Sequence, residues 1–111
     1  MICDCWDVVI VPFPFTDISG SKRRPALVLS QATFNRNGYT IMAIITTADG
    51  SNWPLDTAIQ HEKAGLKHAC VVRMKLFTID NRLIIRSTGV LSDEDRSRIL
   101  ASLECCLPPR Y

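Results

Sequence analysis

Residues 8–30, VVIVPFPFTDISGSKRRPALVLS, decide the fold: an apolar strand, a polar loop that closes on three cations, and a second apolar strand. Side chains alternate along an extended chain, so Val9, Val11, Phe13 and Phe15 face one way and Val8, Ile10, Pro12 and Pro14 the other. Both faces are apolar and both need cover, one in the interior of a small barrel and the other under a helix, a loop or a second subunit. Pro12 and Pro14 lack a backbone N–H, which places the far end of this strand on a sheet edge or beside a bulge. Residues 16–21, TDISGS, hold the turn formers. Pro25 pushes Arg24 out of the helical region and restarts an extended chain. Arg24 therefore stands at the mouth of the second strand, and Lys22, Arg23 and Arg24 are presented to an anionic partner.

The chain has 111 residues, 47% apolar and 22% charged, which fits one folded domain over residues 1–111 and argues against disorder. A net charge of +2 supplies little long-range field, so any contact with nucleic acid must come from local clustering of cations. An odd count of five cysteines leaves at least one unpaired, as a reducing compartment tolerates. The sequence shows neither a leader pattern nor an apolar run of membrane-spanning length, and the expectation is a cytoplasmic protein with no membrane contact.

Beyond the opening unit, residues 31–38 read as a polar connection without core. Residues 39–47 alternate as a third strand, with Thr40, Met42, Ile44 and Thr46 on one face and Ile41, Ala43, Ile45 and Thr47 on the other. Residues 48–54 read as a loop, 55–59 as a short strand, and 61–67 as a helical turn before Gly65. Further β segments are expected at 69–72, 75–79 and 83–85, with a turn at Asp80-Asn81. Ser92 caps a helix whose first turn carries Asp93, Glu94 and Asp95. Its apolar stripe is Ile99, Leu103, Cys106 and Leu107, and Pro108-Pro109 ends it. Many short strands with a terminal helix and no βαβ alternation predict a mainly β fold, a small SH3-like barrel with a C-terminal helix.

Taken alone, a Lys-Arg-Arg run in a turn is a solvated loop, and Thr46 is a β-former at a strand end. Phe34, Tyr39 and Trp53 read first as core, with stacking on nucleic-acid bases as the alternative. His68 and Cys70 share a face at strand spacing, which allows a Cys/His nucleophilic pair, although Cys70 as a small packing residue is the simpler account. Cys3, Cys5, His61, His68, Cys105 and Cys106 lack zinc-site spacing, so neither a metal nor a cofactor is expected.

Four separated blocks, FPFTDISGSKRRPALVLS (13–30), IMAIITT (41–47), AGLKHACVVRMKLFTIDNRLI (64–84) and TGVLSDEDRSRILASL (88–103), resemble in order and spacing the PemK/MazF family of toxin endoribonucleases. The resemblance implies the same barrel, usually as a homodimer. It also implies metal-independent, sequence-selective cleavage of single-stranded RNA to 2′,3′-cyclic phosphate and 5′-hydroxyl ends. The expected protein partner is a cognate antitoxin whose disordered segment folds across the active groove. Arg24, in the RP motif, matches the family's catalytic arginine, and Thr46, in IIT, its catalytic threonine. Lys22, Arg23, Thr47, Ser19 and Asp17 are expected to contact RNA, the two cations as phosphate anchors. The chain departs from the family at Trp6, where many relatives have glycine, and at Ala69-Cys70, where many have Pro-Ser. The competing reading keeps the fold without catalysis, as a gyrase poison of the CcdB type or an inactive binder of RNA or antitoxin. The gyrase reading is weakened because that toxin depends on a C-terminal tryptophan and residues 107–111 contain none.

Overall fold

In the computed structural model, which describes residues 1–12, 22–48, 50 and 52–109, strict side-chain alternation divides the core into two clusters on opposite faces of one sheet. Strand β1 (Asp7–Pro12) sends Val9 and Val11 into one cluster and Val8 into the other. β2 (Arg23–Val28) divides Ala26 and Val28 from Leu27, and β3 (Tyr39–Thr47) divides Met42 and Ile44 from Ala43 and Ile45. Each fully buried aliphatic side chain here stabilises the fold by about 1.5–3 kcal/mol relative to exposure.

A one-turn helix α1 (Ala32–Asn35) joins β2 to β3, and β4 (Thr57–Ala58), β5 (Cys70–Asp80), a 3-10 turn (Asn81–Leu83), β6 (Arg86–Val90) and helix α2 (Asp93–Cys106) complete the chain. The six strands pair antiparallel in the order β4-β5-β3-β2-β1-β6 and curl into a half-barrel. Two irregularities help it curl, since an extra residue on one strand bends and twists it. β5 carries Met74 and Lys75 unpaired where Ala43 faces Leu76 and Ile44 faces Arg73. β6 carries Thr88 unpaired where Val8 faces Gly89 and Val9 faces Ser87. Beyond Ile10, β1 pairs only with β2, so Pro12 sits at the edge its missing N–H requires. Residues 13–21 of the opening unit lie outside the described residues.

Several expectations are corrected. Residues 31–38 are not coreless: Asn35 is fully buried and donates to the carbonyls of Cys3 and Ser30 at 2.9 and 3.0 Å. Asn81 donates to the Asn35 carbonyl at 2.7 Å and accepts from the Thr40 hydroxyl at 2.6 Å, so this part of the core is polar and satisfied. The segments expected at 69–72 and 75–79 are one continuous strand, β5. Residues 83–85 form no strand, and the missing strand is β6, whose Arg-Ser-Thr-Gly-Val carries no apolar alternation. The helical turn expected before Gly65 is present, closed by hydrogen bonds from Ala64 N to the Gln60 carbonyl at 3.4 Å and from Gly65 N to the Glu62 carbonyl at 3.0 Å. Phe34, Tyr39 and Trp53 are exposed rather than core.

Ser92 caps α2 as expected, accepting from Asp95 N at 3.2 Å. The helix docks through only the first half of the expected stripe: Ile99 is buried and Leu103 half-buried against the second cluster, whereas Cys106 and Leu107 are exposed. Buried polar groups take their place. The Asp95 carboxylate accepts from Gln60 N at 2.7 Å and from Arg98 Nη1 at 3.2 Å, and Arg98 Nη1 also donates to the Ala58 carbonyl at 2.6 Å. The Ser102 and Thr57 hydroxyls meet at 3.2 Å. No described helix is long and apolar enough to cross a membrane.

Two backbone positions are constrained from a distance. Trp6 has φ 78°, the left-handed region, because its N–H bonds the Val28 carbonyl and its carbonyl accepts from Leu91 N, each at 2.9 Å. A side chain there costs about 1–2 kcal/mol, and the indole packs against the second cluster. Gly65 has φ +77°, and a Cβ there would lie 2.1 Å from the Thr88 carbonyl oxygen. The bulged Thr88 hydroxyl donates to the Ala64 carbonyl at 2.8 Å, locking the 61–66 turn onto β6.

Urea unfolding of Trp6→Ala and Trp6→Gly checks the first constraint: both lose the indole, but the glycine variant is expected to be the more stable by about 1 kcal/mol because only it relieves the backbone. The reverse order would contradict the assignment. Gly65→Ala is expected to lower unfolding free energy by about 1–3 kcal/mol, and an unchanged melting curve would show that no such close approach exists.

Candidate active site

The pairing of β2 with β3 runs from Val28↔Met42 to Ala26↔Ile44 and stops there. Pro25 contributes no N–H to carry it further. At this end of the ladder lies a cavity of about 220 Å³, lined by Arg24 and Pro25 from β2 and by Ile45, Thr46 and Thr47 from β3. Leu66, Lys67, His68, Ala69 and Cys70 form its third wall. This wall is held to the end of β3 by the pairs Thr46↔Val71 and Thr47↔Cys70 and by a 3.2 Å hydrogen bond from Ala48 N to the Ala69 carbonyl. The Gly65 contact with β6 fixes it from behind.

Paired residues point to the same side of a sheet. Val11 pairs with Arg24 and belongs to the cluster that contains Ile44, while Thr46 lies two residues beyond Ile44. Arg24 and Thr46 therefore leave the same face, and the β2–β3 register, continued by two residues, sets them opposite each other. Both are half-buried, a position in which a guanidinium and a hydroxyl are held by a rigid sheet yet reached from solvent.

Of the residues singled out from sequence, Arg24, Thr46 and Thr47 come together at this cavity. Lys22 and Arg23 are exposed and do not line it; Arg23 opens β2 rather than belonging to a loop, and alternation turns it to the face opposite Arg24. Asp17 and Ser19 lie outside the described residues. His68 and Cys70 both line the cavity, but not as a nucleophilic pair. Burial, with the Asp95 charge as a lesser cause, pushes the Cys70 thiol up to about 11, so it keeps its proton at neutral pH. Lys67 and Leu66 were not singled out from the sequence. Their only signal is that they lie in the AGLKHAC block, whose fold back onto β3 is a long-range event.

A second cluster lies farther along β5. Arg73 pairs with Ile44 and so shares the face of Arg24 and Thr46. Its guanidinium binds Asp56 through two bonds, Nε to Oδ1 at 3.1 Å and Nη2 to Oδ2 at 2.8 Å. The Trp53 ring lies 5.8 Å from the Arg73 guanidinium carbon and 5.3 Å from Lys75 Nζ. An exposed indole fixed by two cations is a flat apolar surface beside positive charge. Among the described residues, no three His, Cys, Asp or Glu side chains gather as metal ligands, and Cys3, Cys5, Cys70, Cys105 and Cys106 are all free thiols.

Solved structures share this fold at low identity. A MazE–MazF structure from Deinococcus radiodurans superposes with a TM-score of 0.79 at 21% identity, covering 99% of this chain and 100% of that one. An endoribonuclease in complex with its cognate antitoxin, from a mycobacterial species, gives 0.76 at 14% identity, covering 99% and 97%. The Mycobacterium tuberculosis toxin MazF-mt6 gives 0.74 at 18% identity, covering 95% and 99%. No curated protein matches the chain by sequence. Residues 4–107 match the sequence profile of the PemK-like, MazF-like toxin of type II toxin–antitoxin systems, and the chain belongs to that family.

Proposed function

We propose that this toxin-family protein is a metal-independent, sequence-selective endoribonuclease that cuts single-stranded RNA, with Arg24 and Thr46 as its catalytic residues. The observation that carries the reading is the opposed placement of Arg24 and Thr46 on one face of the sheet, at a cavity lying where the pairing of their strands ends. Cleavage needs in-line attack by a 2′-hydroxyl on the adjacent phosphorus and stabilisation of the charge that builds on the phosphoryl oxygens. A guanidinium offers paired, charge-assisted hydrogen bonds to two of those oxygens, and it cannot lose its own proton near neutrality. Thr46 donates a further hydrogen bond to the phosphate, and Thr47 stands at the cavity rim. The products are a 2′,3′-cyclic phosphate and a 5′-hydroxyl.

Binding extends beyond the scissile phosphate. Lys22 and Arg23, exposed at the start of β2, anchor neighbouring phosphates and give salt dependence rather than sequence choice. Asp17 and Ser19 join them in contacting the RNA. Trp53 offers a stacking surface for a splayed base, the usual means of reading single-stranded RNA. The chain acts as a single domain over residues 1–111, as a cytoplasmic homodimer, and is restrained by a cognate antitoxin. The family and the antitoxin-bound structures that share the fold support this last assignment.

Incubation of purified protein with a long single-stranded RNA in excess EDTA is expected to give discrete fragments ending in 2′,3′-cyclic phosphate. Arg24→Ala and Thr46→Ala are each expected to lower the rate about 10²–10³-fold, the usual effect of removing one donor to a developing oxyanion. Near wild-type cleavage by folded Arg24→Ala would overturn the site. Absence of cleavage by folded wild-type protein would overturn the activity itself.

A further inference from the structure

The in-line reaction proposed above leaves one proton without a destination. As the 2′-oxygen bonds to phosphorus it must give up its hydrogen, and neither residue assigned so far takes it well. Arg24 is a guanidinium, which has no lone pair to offer near neutral pH, and Thr46 is a hydroxyl, suited to donating. Two other ionisable neighbours in the cavity are equally unsuited: Lys67 is an ammonium with three donors and no acceptor, and the Cys70 thiol is pushed up to about 11 by burial.

The remaining ionisable group among the described cavity residues is His68. It is exposed, so a substrate can reach it, and it lines the same cavity as Arg24, Thr46 and Thr47. The wall that carries it is not a free loop. It is tied to β3 by the Ala48–Ala69 hydrogen bond and the Thr47↔Cys70 pair, and to β6 through Gly65. A neutral imidazole presents one nitrogen as acceptor, and imidazole is the side chain whose ordinary ionisation falls between pH 5 and 8.

We propose that His68 is the general base of the cleavage reaction, an assignment that rests on the ribonuclease reading above. The neutral imidazole accepts the 2′-hydroxyl proton while the 2′-oxygen–phosphorus bond forms. The phosphorus–5′-oxygen bond breaks with its electron pair going to the 5′-oxygen, which takes a proton from solvent. The imidazolium then returns its proton to solvent, and no redox change occurs. Arg24 and Thr46 hold the phosphate throughout, so His68 adds proton transfer to a site otherwise built for charge stabilisation. Among the described residues, the charged or titratable groups that share the cavity with it are Arg24 from β2, Lys67 beside it and Cys70 at the start of β5.

Initial rates of cleavage of a long heteropolymeric single-stranded RNA are measured across pH 5 to 9 for wild type, His68→Ala, His68→Gln and Arg24→Ala, with thermal melts confirming that each variant is folded. Wild type is expected to gain activity with rising pH along a single-proton limb and then level off. Both His68 variants are expected to lose that limb and to fall about 100-fold on the plateau, within the usual range for general acid–base catalysis. Added free imidazole is expected to restore part of the activity of His68→Ala but not of Arg24→Ala. If His68→Ala keeps the wild-type limb and cuts within about threefold of wild type while Arg24→Ala is dead, this proposal falls and the ribonuclease reading stands. If folded wild type cuts at no pH, both fall together.

Discussion

The constraint on which the rest depends is the stop in backbone pairing at Ala26 and Ile44. A sheet that paired without interruption would carry β2 and β3 side by side to their ends, and no concavity would separate Arg24 from Thr46. Pro25 removes a donor where the ladder would continue, and it also fixes an extended conformation at Arg24. One residue thus opens the cavity and aims the guanidinium at it. Both apolar clusters serve this arrangement, because a one-residue slip would exchange the side chains of the two faces and upset the close packing of both clusters at once.

The third wall of the cavity depends on contacts of a different kind. The turn at 61–66 can lie against β6 because Gly65 has no Cβ and because the bulge at Thr88 turns a hydroxyl towards the Ala64 carbonyl. Helix α2 braces the same region from outside, through Ile99 and Leu103 in the second cluster and through hydrogen bonds of Asp95, Arg98 and Ser102. Buried polar contacts of this sort are directional. They hold a loop at one position where an apolar stripe would tolerate sliding.

What was legible in the sequence follows from how local each cause is. The strand mouth at Arg24 could be read because Pro25 acts on its immediate neighbour, and β3 could be read because its alternation spans nine residues. The cap at Ser92 is equally local. By contrast, the left-handed Trp6 is imposed by partners at Val28 and Leu91, which nothing near residue 6 announces. β6 is polar and becomes a strand only by pairing with β1. Exposure of Phe34, Tyr39 and Trp53 was hidden because an isolated aromatic residue has no period, and its burial is decided by elements far away in the chain. In the site, Arg24 and Thr46 were read from motifs, whereas the approach of Lys67 and His68 depends on the 61–66 turn and could not be.

The most direct test of the account is a backbone and indole amide NMR titration with a short single-stranded RNA made uncleavable by 2′-O-methylation. The account places the RNA across the end of the β2–β3 ladder. It therefore predicts the largest shifts at Arg24, Thr46, Thr47, Lys67, His68 and Ala69, extending to the Trp53 indole. Shifts confined to α2 or to the β6 edge, with the cavity residues unmoved, would contradict it.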